Sequence, residues 1–306
     1  MKKQFILIGL LLLSAGCSRD NLNSRSADEI KTVTFGAEDF FDPEASLTKT
    51  SIVDETSFIW SEGDTVGIYP NTGAQVYFAM ESGAGAKSAE FDGGGWDFKP
   101  SATYYSYYPF IGDIYLDRHN IPVSFTGQAQ TGTTGVSHIG AYDFMYTPAT
   151  SSSNSSLNFS YKHLCSILRL RLVLQADTYT KLAVTAPSNV FITKGYYDLQ
   201  SASPAIVGTE YSNQLQIALN DITLSSETEF YVYMMTAPVN LQGTAITVSV
   251  LNSQKKEFQC AKTPSYEYAA GSINKMGCTS WTEVPQNMGM IIEDWGNSGT
   301  VSGDAD

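Results

Sequence analysis

The chain has 306 residues, 42% hydrophobic and 16% charged, with a formal charge of −13. An acidic chain is a poor nucleic-acid binder, because neutralising phosphates needs clustered Lys and Arg. Past the first residues the one basic doublet, Lys255-Lys256, reads as a solvated hairpin turn. The length exceeds one small sandwich and suits two domains of about 130 to 150 residues each.

The chain begins with a short positive stretch, Met1-Lys2-Lys3, then an apolar run from Phe5 to Leu13, then Ser14-Ala15-Gly16 just before Cys17. The run is well short of the ~20 residues that span a bilayer, so it reads as a secretory signal. A small-residue tripeptide ending in Gly before Cys resembles the bacterial lipobox, where the cysteine is acylated and the signal is cut ahead of it. Residues 1–16 are therefore expected to leave and Cys17 to carry the lipid. Several acyl chains make a stable tether, at ~0.8 kcal/mol per buried CH₂. Loss of residues 1–16 leaves 306 − 16 = 290 residues, and loss of Lys2 and Lys3 takes the charge to −13 − 2 = −15.

Residues 17–30 are polar and read as a flexible tether. From Lys31 onward the pattern is β: "KTVTFGA" (31–37), "SFIW" (57–60), "TVGIY" (65–69) and "QVYFAM" (75–80) are short, β-branched or aromatic, and bounded by Gly, Asp, Ser or Pro. The rhythm returns in "LCSILRLRLVL" (164–174), "QLQIAL" (214–219), "EFYVYMM" (229–235) and "TAITVSVL" (244–251). Arg169 and Arg171 alternate with Leu168, Leu170 and Leu172, as in a half-buried strand with one wet face. The Ser-rich stretch "TPATSSSNSSLNFS" (147–160) is the best seam, which places an N-terminal domain at 31–155 and a C-terminal domain at 156–306. The latter ends in an apolar segment, 288–295, and an acidic tail.

Nothing in the sequence assembles into a catalytic or metal site, and no enzyme or cofactor is expected. His119, His138 and His163 are not paired at helical spacing, no G-x-S-x-G occurs, and no C-x-x-C suggests zinc. "GAGAKS" (83–88) has neither the spacing nor the Gly before Lys87 of a phosphate loop. Excluding Cys17, three cysteines remain: Cys165 reads as a small buried hydrophobe, while Cys260 and Cys278 could pair. "TYYSYYPF" (103–110) puts Tyr104 and Tyr108 on one strand face and Tyr105 and Tyr107 on the other. Such rings either stack on sugars when exposed or fill a core with each hydroxyl on a polar neighbour, and the buried reading is favoured.

Several stretches resemble the fimbrillin-like family, subunit precursors of type V pili. "FIWSEGDTVGIY" (58–69) is similar to its W-x-x-G-D-x-(I/V)-G-(V/I) segment, and "YYSYYPF" (104–110) to its Tyr-rich strand ending in Tyr-Pro. "QAQTGTTGVSHIGAYDFMYTPA" (128–149) resembles its Gln-rich turn followed by Y-D-x-M, "LNFSYKHLCSILRLRL" (157–172) its strand with Phe and His, and "YAAGSINKM" (268–276), more loosely, its A-G turn. The resemblance implies an all-β fold of two tandem transthyretin-like β-sandwich domains. It also implies export as an outer-membrane lipoprotein and assembly at the cell surface by protease-triggered strand exchange. The removable strand would be "KTVTFGAEDF" (31–40), and cleavage would fall in 41–56, where Lys49 is the only basic residue. The family usually has Arg there, so Lys49 is a departure; Arg25 is the upstream alternative. The donor would be 288–295, with Met288, Met290 and Ile292 on one side and Ile291 and Trp295 on the other. The implied partners are other pilus subunits, a processing protease and the lipid anchor. The alternative is a monomeric surface lipoprotein that binds polysaccharide through exposed aromatics.

Overall fold

The strand-forming runs appear in a computed structural model that describes residues 30, 32–42, 58–113, 115–153 and 156–285. The first ten strands are β1 (Thr32–Ala37), β2 (Thr65–Pro70), β3 (Val76–Ser82), β4 (Ser88–Asp92), β5 (Thr103–Tyr108), β6 (Ile121–Ser124), β7 (Ala129–Thr131), β8 (Met145–Tyr146), β9 (Thr150–Ser151) and β10 (Ser156–His163). The second ten are β11 (Ser166–Leu174), β12 (Thr178–Thr185), β13 (Phe191–Tyr197), β14 (Val207–Ser212), β15 (Gln214–Thr223), β16 (Thr228–Thr236), β17 (Ile246–Asn252), β18 (Glu257–Lys262), β19 (Ile273–Cys278) and β20 (Thr282–Glu283). Among the described residues the helical content is one 3-10 turn, Ile139–Tyr142, and no helix is long and apolar enough to cross a membrane.

The first unit is a ring. Its strands run β2-β3-β4-β1-β10-β8-β5, and β5 pairs back onto β2, with β9 attached to β5. A sandwich is expected here, but β2 has partners on both sides, so the sheet closes on itself and leaves few free edges. The ring encloses an aromatic core that includes Phe35, Trp60, Phe78, Tyr104, Phe159 and Tyr161. Alternation along β10 is complete: Leu157, Phe159, Tyr161 and His163 face inward, while Ser156, Asn158, Ser160 and Lys162 face out. β9, attached to the ring through β5, and β10, a ring strand, stand in one sheet on either side of residues 154–155. The chain passes to the next core at Leu164-Cys165.

The second unit sets the sheet β16-β11-β19 against the sheet β20-β18-β17-β12-β15-β7. Between them is an aliphatic core built on Leu168, Leu170, Leu172, Ile217, Val232 and Val248. β11 shows the expected alternation, but its outer face is not uniformly wet. Arg171 is exposed, whereas Arg169 is buried because its guanidinium lies 4.2 Å from the centre of the Tyr231 ring. The halves of the chain interlock. β6 joins β13 and β14, and β7 pairs with β15. A third core, with Tyr69, Tyr107, Phe144, Leu164, Tyr197 and Ile273, joins the two units.

The segment 128–130, running into β7, also closes one side of the second unit through side chains. The Gln128 amide accepts from Met235 N at 2.7 Å and donates to Met235 O at 2.8 Å. Two residues on, Gln130 accepts from Tyr233 N at 3.0 Å and donates to Tyr231 O at 2.8 Å. Two amides thus stand in for a neighbouring strand along the outer edge of β16, satisfying backbone groups that would otherwise be left open.

Candidate strand-exchange site

β1 lies between β4 and β10. It runs parallel to β10 over six residue pairs, Thr32↔Ser156 to Ala37↔Tyr161. Its pairing with β4 is antiparallel and confined to Phe35↔Ala89 and Gly36↔Ser88. The strand is therefore gripped on one side by a ladder and on the other by little backbone pairing. Phe35 supplies the inward anchor. Its ring centre is 4.7 Å from Phe91 and 5.1 Å from Phe159, and Trp60 Nε1 donates to its carbonyl at 3.1 Å.

The segment 58–69 builds the floor beneath β1. Trp60 is buried and packs edge-on against Phe58, Phe91, Tyr108 and Tyr161. Gly63 takes a φ of +87°, which favours glycine, at the turn that leads into β2. Asp64 fixes that turn by accepting from Ser61 N at 2.7 Å and from the Tyr108 hydroxyl at 2.9 Å. Gly67 leaves room for Tyr107, since a Cβ there would sit 2.2 Å from a ring atom. The "GAGAKS" stretch is the β3–β4 turn, and its backbone pairs with Trp60 through Trp60 N to Ala86 O and Gly85 N to Trp60 O.

The residues leaving β1 are clasped one after another. Glu38 N donates to Tyr161 O at 3.0 Å, and Asp39 accepts from Phe58 N at 3.0 Å and pairs with Lys87. Phe40 stacks on the His163 ring with 3.7 Å between centres. Phe41 N donates to Gly271 O and Phe41 O accepts from Ile273 N, so the chain touches the edge of β19. Asp42 pairs with Lys275 of β19. The exit of β1 thus spans both units.

His163 and Asp143 form the buried pivot of this clasp. His163 Nδ1 is 2.8 Å from Asp143 Oδ1, and Nε2 is 2.7 Å from Glu38 O. Both neighbours are acceptors, so an imidazolium with two N–H groups satisfies both. Burial alone would push the His163 pKa down. The opposing pull of the Asp143 carboxylate, its hydrogen bond and the Glu38 carbonyl outweighs burial, and the pKa is raised above its ordinary 6.5. Neither residue stood out in the sequence as half of a pair. Asp143 lies in the Y-D-x-M stretch and His163 in the Phe-and-His strand, and the fold brings them together.

Of the residues expected from sequence to carry function, β1 occupies most of 31–40. Cys17, Arg25, Lys49 and the donor positions Met288, Met290, Ile291, Ile292 and Trp295 lie outside the described residues. The tyrosine strand divides as its alternation implies: Tyr104 and Tyr108 enter the ring core, while Tyr107, and partly Tyr105, enter the joining core. Among the described residues the large rings left well exposed are at Phe41, Tyr77, Tyr115 and Tyr211. Cys165 is buried beside Phe144 O, and burial pushes its thiol pKa well up. A concavity of about 330 Å³ on the outer face of β16-β11-β19 is lined by Arg169, Arg171, Tyr231 and Lys275. Arg171 there pairs with Glu229 and Lys275 with Asp42. Among the described residues no three His, Cys, Asp or Glu side chains converge as a metal site would require.

The fold and this seam define a class: an all-β chain whose leading strand is inserted in a ring and clasped onto a second unit. The family model described as fimbrillin-like matches residues 48–295, and the chain belongs to that family. Among solved structures, a Bacteroides ovatus protein assigned to cell adhesion is similar at 14% identity and a TM-score of 0.56, over 84% of this chain and 96% of that one. A Bacteroides fragilis protein with the same assignment shares 11% identity at a TM-score of 0.47, over 85% and 97%. The tip fimbrial protein of Porphyromonas gingivalis, with a C-terminal truncation, shares 8% identity at a TM-score of 0.39, over 74% and 91%. Among curated proteins nothing matches. Family membership gives the chain a fimbrial role.

Proposed function

We propose that the chain is a structural pilus subunit, exported as a precursor lipidated at Cys17 and assembled by strand exchange. The observation that carries this reading is the placement of β1. It is the first strand of the ring, so it needs no threading to leave, and its link to β2 runs through residues 43–57, which contain Lys49. A cut after Lys49 would turn β1 into a peptide held by one ladder, the two-pair contact with β4, the Phe35 anchor and the His163 clasp. Its departure would open a trench floored by Trp60, Phe91 and Phe159, with the edge of β10 unpaired. Such a trench is costly in water and suits an extended apolar segment that restores the ladder.

In this reading the 288–295 segment of another copy is the donor, with Met288, Met290 and Ile292 turned one way and Ile291 and Trp295 the other. Head-to-tail donation does not close, so it yields a fibre. The two-sandwich architecture implied by the resemblance belongs to the same proposal, with a first unit whose sheet closes once β1 is in place. Burial of most of the Tyr104–Tyr108 row leaves the polysaccharide alternative, among the described residues, with the rings of Phe41, Tyr77, Tyr115 and Tyr211.

The test is limited digestion of the purified mature chain with a Lys/Arg-specific protease, followed by N-terminal sequencing and an unboiled denaturing gel. A new terminus at Thr50 with a ladder of detergent-resistant oligomers is expected. A stable monomer cut only within 17–30, at Arg19 or Arg25, would overturn the proposal.

A further inference from the structure

The aliphatic core of the second unit holds two cysteines from opposite sheets. Cys260 sits on β18, opposite Val248 of β17, and is the one buried residue of that strand. Cys278 ends β19, opposite Leu172 of β11. Both side chains are buried in the same core, and both are free thiols in this structure. β18 and β19 belong to different sheets, with no ladder between them. Directly after Cys278 the chain crosses from one sheet to the other, through Trp281, whose Nε1 donates to Val173 O at 2.8 Å, to β20 beside β18. Cys165 lies apart, in the core that joins the two units.

We propose that Cys260 and Cys278 form a disulfide that staples the two sheets of the second unit where the chain crosses between them. A fimbrial chain works outside the cytoplasm, where thiols meet oxidants and disulfides persist. The oxidant is a disulfide donor, either a thiol–disulfide oxidoreductase or glutathione disulfide. One cysteine thiolate attacks a donor sulfur and expels a donor thiolate. The second cysteine then attacks the protein sulfur of the mixed disulfide and expels the other donor thiolate. The two protein thiols lose two protons and two electrons, and the donor leaves as two thiols. Burial first, and the neighbouring Cys260 second, raise the Cys278 pKa, so the thiolate is scarce once the core has closed. The bond therefore forms while the sheets are still coming together. This inference does not depend on strand exchange, because β1 and its trench lie in the other unit.

The test is refolding of the full chain from denaturant in a mixture of oxidised and reduced glutathione, then trapping with N-ethylmaleimide under denaturing conditions and peptide mass mapping. The expected result is alkylated Cys17 and Cys165 and a linked pair of peptides carrying Cys260 and Cys278. Reductant should lower the Tm of the oxidised wild type by roughly 5–10 °C, and leave that of Cys260→Ala/Cys278→Ala unchanged. Free, alkylated Cys260 and Cys278 in a folded chain, or a wild-type Tm indifferent to reductant, would overturn the proposal. If the double variant does not fold, the wild type with and without reductant decides.

Discussion

In the ring, β1 is held by one parallel ladder, a two-pair contact with β4 and the buried face of Phe35. In the second unit the comparable edge, that of β16, is tied down by the amides of Gln128 and Gln130, from a segment about 100 residues earlier in the chain. The first arrangement joins a strand at the start of the fold through side chains that another apolar segment could reproduce. The second is woven in from the middle of the chain and cannot leave without unthreading. A protein that must exchange one strand and keep the rest benefits from having both kinds of closure.

The largest effect should come from Phe35→Ala, which empties a site ringed by Phe91, Phe159 and Trp60. It is expected to cost about 3–5 kcal/mol in denaturant unfolding and, in a chain nicked within 43–57, to speed loss of the β1 peptide. Leu170→Ala should cost a similar amount, about 2–5 kcal/mol, without touching β1 release. Equal acceleration by both would erase the distinction between the two units.

Asp143→Asn should come next, at about 3–5 kcal/mol, because it leaves a buried imidazolium without its counter-charge. The pH dependence follows from the raised pKa of His163. The folded value lies above the unfolded one of 6.5, so the stability from this pair is fully present below about pH 6.5 and fades as pH rises through the folded value. Release of β1 from nicked protein should therefore be faster at pH 9 than at pH 6. His163→Gln should flatten that difference, and a pH response that survives the substitution would assign it to other groups.

Gln128→Ala should cost about 1–3 kcal/mol, since it leaves Met235 N and O buried without partners. It should not alter β1 release. The smallest effect is expected from Lys194→Ala, which breaks a half-exposed pair with Glu210 at 3.1 Å. Unfolding free energy should move by no more than ~0.5 kcal/mol.

Much of this was legible in the sequence, and the gaps have physical causes. Strand positions could be read because alternation is local. "SLNFSYKH" shows it residue by residue, and "TYYSYY" divides its rings between two cores as its parity requires. Ring closure was not legible, because β1 pairs with a strand 124 residues away and no local pattern reports that partner. The glutamine caps look like an ordinary polar turn until the edge of β16 is in place. The His163–Asp143 pair did leave a trace. His163 shares the inward parity of Leu157, Phe159 and Tyr161, and a polar side chain at a core position demands a partner. The sequence alone could not name Asp143 as that partner.

The most direct test of the account follows β1 itself. The chain is cut within residues 43–57, mixed with a synthetic peptide of residues 288–295, and tracked by native mass spectrometry. Strand exchange predicts one-for-one replacement of the β1 fragment by the peptide, faster in Phe35→Ala and slower at low pH. A nicked protein that keeps β1 and leaves the peptide unbound would contradict it.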